Sequence, residues 1–220
     1  FLYTAHTSLS ETQVIFREGV NGPSHTYDID TGFGVTITDP VSGNPADLYL
    51  GRLTTPLDPA DNINPVPILI LPTVTEYLGL PLLLYGKVDD WDSSDSLGNW
   101  VGRNTVEDFA VIDSAPYSTL ELISWRDLTG GLEYESVVQN GDSGSPTFFA
   151  IGDSLALAGI TANFLTHGDG RLGTGDAFVP YYAGAIQDIL DDEQSGESLS
   201  LVTIIPEPAS SILLAALAIF

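Results

Sequence analysis

The apolar residues of this chain fall in short runs separated by turn-forming residues. Gly34-Val35-Thr36-Ile37-Thr38, Pro67-Ile68-Leu69-Ile70-Leu71, Leu82-Leu83-Leu84-Tyr85, Phe109-Ala110-Val111-Ile112 and Leu155-Ala156-Leu157-Ala158-Gly159-Ile160 are each of strand length. Gly, Pro, Asn or Asp clusters bound most of them, and 22 Gly and 14 Pro spread such punctuation along the whole chain. Repeated short strands with turns between them predict an all-β barrel or sandwich. A helical period appears only over residues 181–192, where Ala185, Ile186, Ile189 and Leu190 share one apolar face. The prediction is a mostly β chain closed by one helix.

The pattern changes after Glu193. Residues 194–204 begin with a Ser-, Gly- and Glu-rich stretch and read as a polar linker. Pro206-Glu207-Pro208 follows, and residues 212–220 are wholly apolar. A membrane-spanning helix needs about 20 apolar residues, so this run reads as a truncated membrane segment in preference to a buried terminal helix. With no Met in the chain, Phe1 is expected to open inside a longer protein.

Composition narrows the function. At 220 residues, 43% apolar and 16% charged, the chain can bury a proper core and is not a disordered acidic tail. Thirty Asp+Glu against six Lys+Arg, a formal charge of −24, argue against nucleic-acid binding, which needs clustered cations. Zero Cys excludes disulfide frameworks, zinc–thiolate sites and cysteine nucleophiles.

The strongest chemical signal is Gly141-Asp142-Ser143-Gly144-Ser145-Pro146, followed by the apolar Thr147-Phe148-Phe149-Ala150. Glycines flanking a serine let the backbone turn sharply and expose its Oγ. The Gly141 and Ser143 N–H groups would then be placed to bind the oxyanion formed when Oγ attacks an acyl carbon. Alone, such a Gly/Ser/Asp cluster reads as a turn. A base and an orienting carboxylate are needed to raise it above that.

Gly-Asp-Ser-Gly-Ser-Pro resembles the nucleophile loop of trypsin-like (chymotrypsin-fold) serine proteases, with Ser145 where glycine is commoner. Phe1-Leu2-Tyr3-Thr4-Ala5-His6 is similar to the family's histidine segment, with Tyr3 and Thr7 as departures. Asp47-Leu48-Tyr49-Leu50-Gly51-Arg52-Leu53-Thr54-Thr55-Pro56-Leu57 is similar to the strand that its aspartate begins. The order His, Asp, Ser and the gaps of 41 and 96 residues also suit that family. The resemblance covers residues 1–193. It implies two six-stranded antiparallel β-barrels and a C-terminal helix, the first barrel lacking its opening strands.

The implied activity is that of a serine endopeptidase cleaving peptide bonds through an acyl-enzyme, with protein or peptide substrates and no cofactor or metal. Ser143 would be the nucleophile, and His6 the general base that passes the proton to the leaving amine. Asp47 would fix the imidazole tautomer, and the Gly141 and Ser143 N–H groups would form the oxyanion hole. By the same analogy Val137 lies at the base of the pocket for the side chain before the cut. Ala162, Asn163 and Phe164 form its other wall, and a small or apolar preference is expected. In many relatives the residue matching Asp142 pairs with a freed amino terminus and shapes the oxyanion hole. His25 and His167 read as surface-loop residues, and Asp39, before Pro40, as a turn former.

Asp89, Asp90, Asp92 and Asp95 crowd one stretch without EF-hand spacing and read as a solvated acidic loop. Pro206-Glu207-Pro208-Ala209-Ser210-Ser211 with the apolar residues after it resembles the PEP-CTERM sorting signal of Gram-negative bacteria. That resemblance, over residues 205–220, implies export, processing by exosortase-type machinery and transient membrane association. The expected location is periplasm, cell surface or extracellular space. Two rivals remain: a catalytically inactive trypsin-fold module for surface adhesion or matrix binding, and a serine esterase. The esterase ranks last, because Ser145 breaks the Gly-x-Ser-x-Gly elbow and strand-like residues follow it.

Overall fold

β3 (Ser24–Thr38), whose burial alternates over its first half, and β4 (Pro45–Leu53), buried at most positions, form the centre of the first sheet. The computed structural model describes residues 1–6, 12–17, 23–88, 98–127, 131–133, 135–193 and 196–203. With β1 (Leu2–Tyr3) and β2 (Gln13–Arg17), the strand order of this antiparallel sheet is β1-β4-β3-β2. Asp39 holds the β3–β4 turn, its Oδ1 accepting from the N–H groups of Val41 at 3.0 Å and Ser42 at 2.6 Å.

The second sheet comprises β5 (Ile68–Leu69), β6 (Pro81–Val88), β7 (Gly98–Thr105), β8 (Asp108–Ser114), β9 (Tyr117–Trp125), β10 (Pro146–Ile151), β11 (Ser154–Thr166) and β12 (Leu172–Phe178). Its antiparallel path runs β7-β6-β10-β11-β12-β9-β8. A short β13 (Leu201–Val202) pairs in parallel with β5, and β5 in parallel with β11. Helix α1 (Val179–Asp192) leaves β12 directly, with Pro180 in its first turn, where a missing N–H costs nothing.

Two apolar clusters hold these parts together. One joins the sheets: Ile37, Leu48 and Leu50 of the first meet Ile160 and Ala177 of the second, and Tyr182 and Ile186 of α1 close over them. The other fills the second sheet around Tyr77, whose ring meets Phe178 edge-on at 4.9 Å and lies 5.4 Å from Phe149. The Tyr77 hydroxyl is also satisfied, accepting from Leu71 N–H at 2.7 Å and donating to Leu69 C=O at 3.0 Å.

Several details differ from the sequence-based expectation. The antiparallel path of the second sheet has seven strands, because the β8–β9 hairpin places β8 beyond β9 as an edge. The four strands of the first sheet are those found among the described residues. His25 lies in β3, not in a loop, with Nδ1 2.9 Å from Asp61 Oδ1. His167 does sit in an exposed turn, beside Asp169 at 2.7 Å.

Within the expected linker, residues 199–202 are docked. Ser200 and Val202 carbonyls accept from Ile68 and Ile70 N–H, both at 2.8 Å, and Leu199 packs on the inter-sheet cluster. The acidic stretch at 89–95 and residues 204–220, which carry the sorting-signal resemblance, lie outside the described residues.

Phe149 is fully buried while Val111 on the edge strand is 60% exposed. Phe149→Ala should therefore cost about 3–5 kcal/mol, and Val111→Thr should stay within about 0.5 kcal/mol. The urea midpoints of the two variants check this.

Candidate active site

Three separate segments converge at one end of the interface between the sheets. β1 pairs with β4 through Leu2–Leu50 and Tyr3–Tyr49, so the chain leaving β1 turns back towards the start of β4. That brings His6 onto Asp47. The His6 N–H donates to Asp47 Oδ1 at 2.7 Å, and His6 Nδ1 shares a short hydrogen bond with Asp47 Oδ2. Asp47 is 4% exposed, and its own N–H donates to Thr119 Oγ1 on β9 at 2.7 Å. Tyr117 Oη donates to the Ala5 carbonyl at 3.1 Å, tying the histidine segment to the second sheet as well. His6 Nε2 faces out of this arrangement and lies 3.2 Å from Ser143 Oγ.

Ser143 is presented by a loop with few degrees of freedom. Asp142 N–H donates to Gln139 C=O at 3.1 Å, and the buried Asp142 carboxylate accepts from Gln139 N–H at 2.8 Å. Asp142 thus braces the loop from within. Ser145 N–H donates to Asp142 C=O at 2.9 Å, and Gly144 N–H to Thr161 C=O at 2.9 Å. The N–H groups of Gly141 and Ser143 stand outside this network. Gly141 at φ 103° and Gly144 at φ 89° occupy the left-handed region, which a side chain would strain.

A cavity of about 350 Å³ opens beside Ser143, lined by His6, residues 138–141 and residues 161–164. Ala162 and Asn163 lie in its wall, and Phe164, 44% exposed, stands at its edge. Val137 does not line it. Val137 is buried, and its neighbour Val138, also buried and packed in the second apolar cluster, is the valine that borders the cavity. The lining also contains Gln139, Asn140 and Thr161, so it is more polar than the sequence suggested. Among the described residues no group of three or more His, Cys, Asp or Glu is arranged to hold a metal ion.

No family model and no curated protein sequence matches the chain. Among solved structures it is similar to the inactivated protease paralogue S-I1 of the scabies mite, at TM-score 0.50 and 17% identity, over 87% of this chain and 83% of that one. It is also similar to the NS6 protease of murine norovirus 1, at TM-score 0.46 and 14% identity, over 80% and 78% of the two chains. The first likeness, with the two curled antiparallel sheets and single helix, decides the architecture. The chain has the two-barrel, trypsin-like fold. In this trypsin-like fold the first sheet supplies His6 and Asp47, and the loop before β10 of the second supplies Ser143.

The trypsin-like fold also carries two groups that sequence reasoning missed. Glu121 on β9 is fully buried, and burial pushes its carboxyl up to about 8. A hydrogen bond from Asn163 opposes that rise, while Asp176 and Asp47 nearby add repulsion. Asp176 on β12, equally buried, is pushed up to about 7 by the same desolvation, against the Thr161 and Thr147 hydroxyls. The available signal was an acid between apolar neighbours, Leu120-Glu121-Leu122, in a strand read only for apolar runs.

Both carboxyls bind protons more tightly folded than unfolded. Their contribution is fully present below pH about 4 and is lost as pH rises through about 7 for Asp176 and about 8 for Glu121. Unfolding free energy should therefore fall between about pH 4 and 8, by up to about 1.4 kcal/mol per pH unit for each proton, the upper end of that range coming from Glu121 alone. Glu121→Gln should flatten the upper part of that slope, read from urea titrations across the range.

Proposed function

We propose that the protein is a serine endopeptidase that hydrolyses peptide bonds by a Ser143–His6–Asp47 triad through an acyl-enzyme. The observation that carries this reading is His6 bridging a buried carboxylate and a loop serine, residues 41 and 137 positions away in the chain. A serine hydroxyl is a weak nucleophile at neutral pH and needs an adjacent base. His6 Nε2 would take the Ser143 proton as Oγ attacks the carbonyl carbon. Asp47, held by Thr119, would keep the other imidazole nitrogen as donor and stabilise the imidazolium.

The oxyanion would meet the Gly141 and Ser143 N–H groups, which the loop network leaves unused. The same imidazolium then protonates the departing amine, and a water attacks the ester in the reverse sense. Substrate chains would enter along the open cavity, with the side chain before the cut between residues 138–141 and 161–164.

Export and sorting to the bacterial surface, with exosortase-type processing, form part of the proposal. They rest on the sequence of residues 205–220 alone. A second reading, a catalytically inactive binding module, is favoured by the scabies-mite neighbour, itself an inactivated paralogue.

A fluorophosphonate probe separates the two readings. The full chain should be labelled covalently, and Ser143→Ala should not. An unlabelled chain favours the binding module. On a cleavable peptide, Asp47→Asn should lower kcat by about 10⁴, and Ser143→Ala by about 10⁶.

A further inference from the structure

The cavity wall beside Ser143 is tied from behind by two buried acids. Asn163 Nδ2 donates to Glu121 Oε1, and Thr161 Oγ1 donates to Asp176 Oδ1 at 2.9 Å. The register of β11 against β12 slips at this point: Thr161 faces Asp176 and Asn163 faces Gly175, so Ala162 is the extra residue of a bulge. The neighbouring strands are cut back to admit the acids. A Cβ on Gly175 would stand 2.0 Å from Glu121 Oε2, and one on Gly159 would stand 2.6 Å from the Asp176 Cβ.

Neither acid has an ion-pair partner among the described residues. Glu121 Oε2 is buried without a hydrogen bond, and beyond Oδ1 Asp176 has only the Thr147 hydroxyl beside it. A carboxyl kept under such conditions, with space made for it, needs a reason beyond packing.

We propose that Glu121 is a positioning residue that sets which end of the Asn163 side-chain amide meets the substrate residue before the cut. This rests on the serine-endopeptidase reading above. An ionised Glu121 accepts only, so it holds Asn163 Nδ2 inward and leaves Oδ1 to the cavity. The cavity then selects a side chain with a hydrogen-bond donor. A protonated Glu121 can donate as well, which permits the amide to turn over and offer Nδ2 outward, selecting an acceptor. The groups facing Glu121 are Asp47 of β4, Asn163 of β11, Asp176 of β12 and Tyr182 of α1, with Ala110 of β8 opposite it in the sheet. None of them is a cation, so the proton equilibrium of Glu121 is governed by burial and by two other acids. Burial raises its carboxyl towards neutrality, which puts the turnover within working pH.

The test uses the full chain and peptides differing only before the cut: glutamine, lysine, glutamate or norleucine. Above the Glu121 titration, lysine and glutamine should exceed norleucine in kcat/KM by about tenfold. Glutamate should gain on lysine as pH falls through it. In Glu121→Gln the lysine-to-glutamate ratio should lose its pH dependence, and in Asn163→Leu norleucine should match or exceed glutamine at every pH.

A binding-free readout runs beside this in Ser143→Ala: the Glu121 carboxyl carbon and the Asn163 side-chain amide should titrate in NMR with one midpoint. Asn163 signals that ignore Glu121, equal cleavage of all four peptides, or pH dependence surviving in Glu121→Gln overturn the proposal. A chain that fluorophosphonate labels but that shows no such selectivity sinks this inference alone. A chain that is neither labelled nor active sinks the catalytic reading and this one with it.

Discussion

Two reciprocal backbone hydrogen bonds, Gly144 N–H to Thr161 C=O and Thr161 N–H to Ser145 C=O, carry the site. They extend the β10–β11 ladder backward into the serine loop, so the loop is stitched to the strand that forms the opposite wall of the cavity. Once Gly144, Ser145 and Asp142 are committed, the loop between Gln139 and Ser145 has one sharp path available, and it needs left-handed backbone at Gly141 and Gly144. The position of Ser143 Oγ follows from that path. So does the bulge at Ala162, because Thr161 is held by the loop on one side and by Asp176 on the other.

The first sheet reaches the site by a different route. Asp47 and His6 are fixed to each other locally, yet their distance to Ser143 is set by contacts between the sheets. Asp47 N–H to Thr119 and Tyr117 Oη to Ala5 C=O are the polar ones. The apolar one is the cluster in which Leu48 and Leu50 meet Ile160, Tyr182 and Ile186. Burying an aromatic and four aliphatic side chains contributes several kcal/mol, at about 1.5–3 kcal/mol each, more than the polar ties at about 1 kcal/mol apiece. Docking of the sheets is therefore chiefly hydrophobic, and the hydrogen bonds select its register.

The sequence made the residues of the candidate site easier to read than the strands around it. Ser143, His6 and Asp47 sit in segments whose residue types are unusual enough to notice, and the structure brings the three together. Runs of apolar residues located β5, β6, β8, β11 and the helix. They missed β9 and β12, although most residues of both strands are buried, because Thr119, Glu121, Ser124, Thr174 and Asp176 interrupt the runs. A buried polar residue defeats a pattern built on hydrophobicity and is also where a site draws its orientation. Val137 and Val138 show a second limit. The two are adjacent and both buried, and only Val138 borders the cavity, so an alignment uncertain by one residue decides nothing about a pocket. The pairing of Leu201–Val202 with Ile68–Leu69 was illegible for a third reason, being a contact between segments more than a hundred residues apart with no local signal.

The placement of the two buried acids follows from these constraints. A chain with a formal charge of −24 has little cation to spare for its interior. Arg52 meets Asp30 and Glu193, and the partly exposed Arg171 meets Asp169, Glu107 and Asp127. An acid buried in such a protein is held neutral or by hydrogen bonds from neutral groups, and Asn163 and Thr161 are the groups at hand. Those two residues also form the cavity wall, on the strand that the serine loop clamps. The protonation of the interior and the hydrogen-bond character of the cavity are consequently one variable. Replacing either acid with an apolar residue would remove a desolvation cost, but it would also release the side chains that the cavity presents beside Ser143.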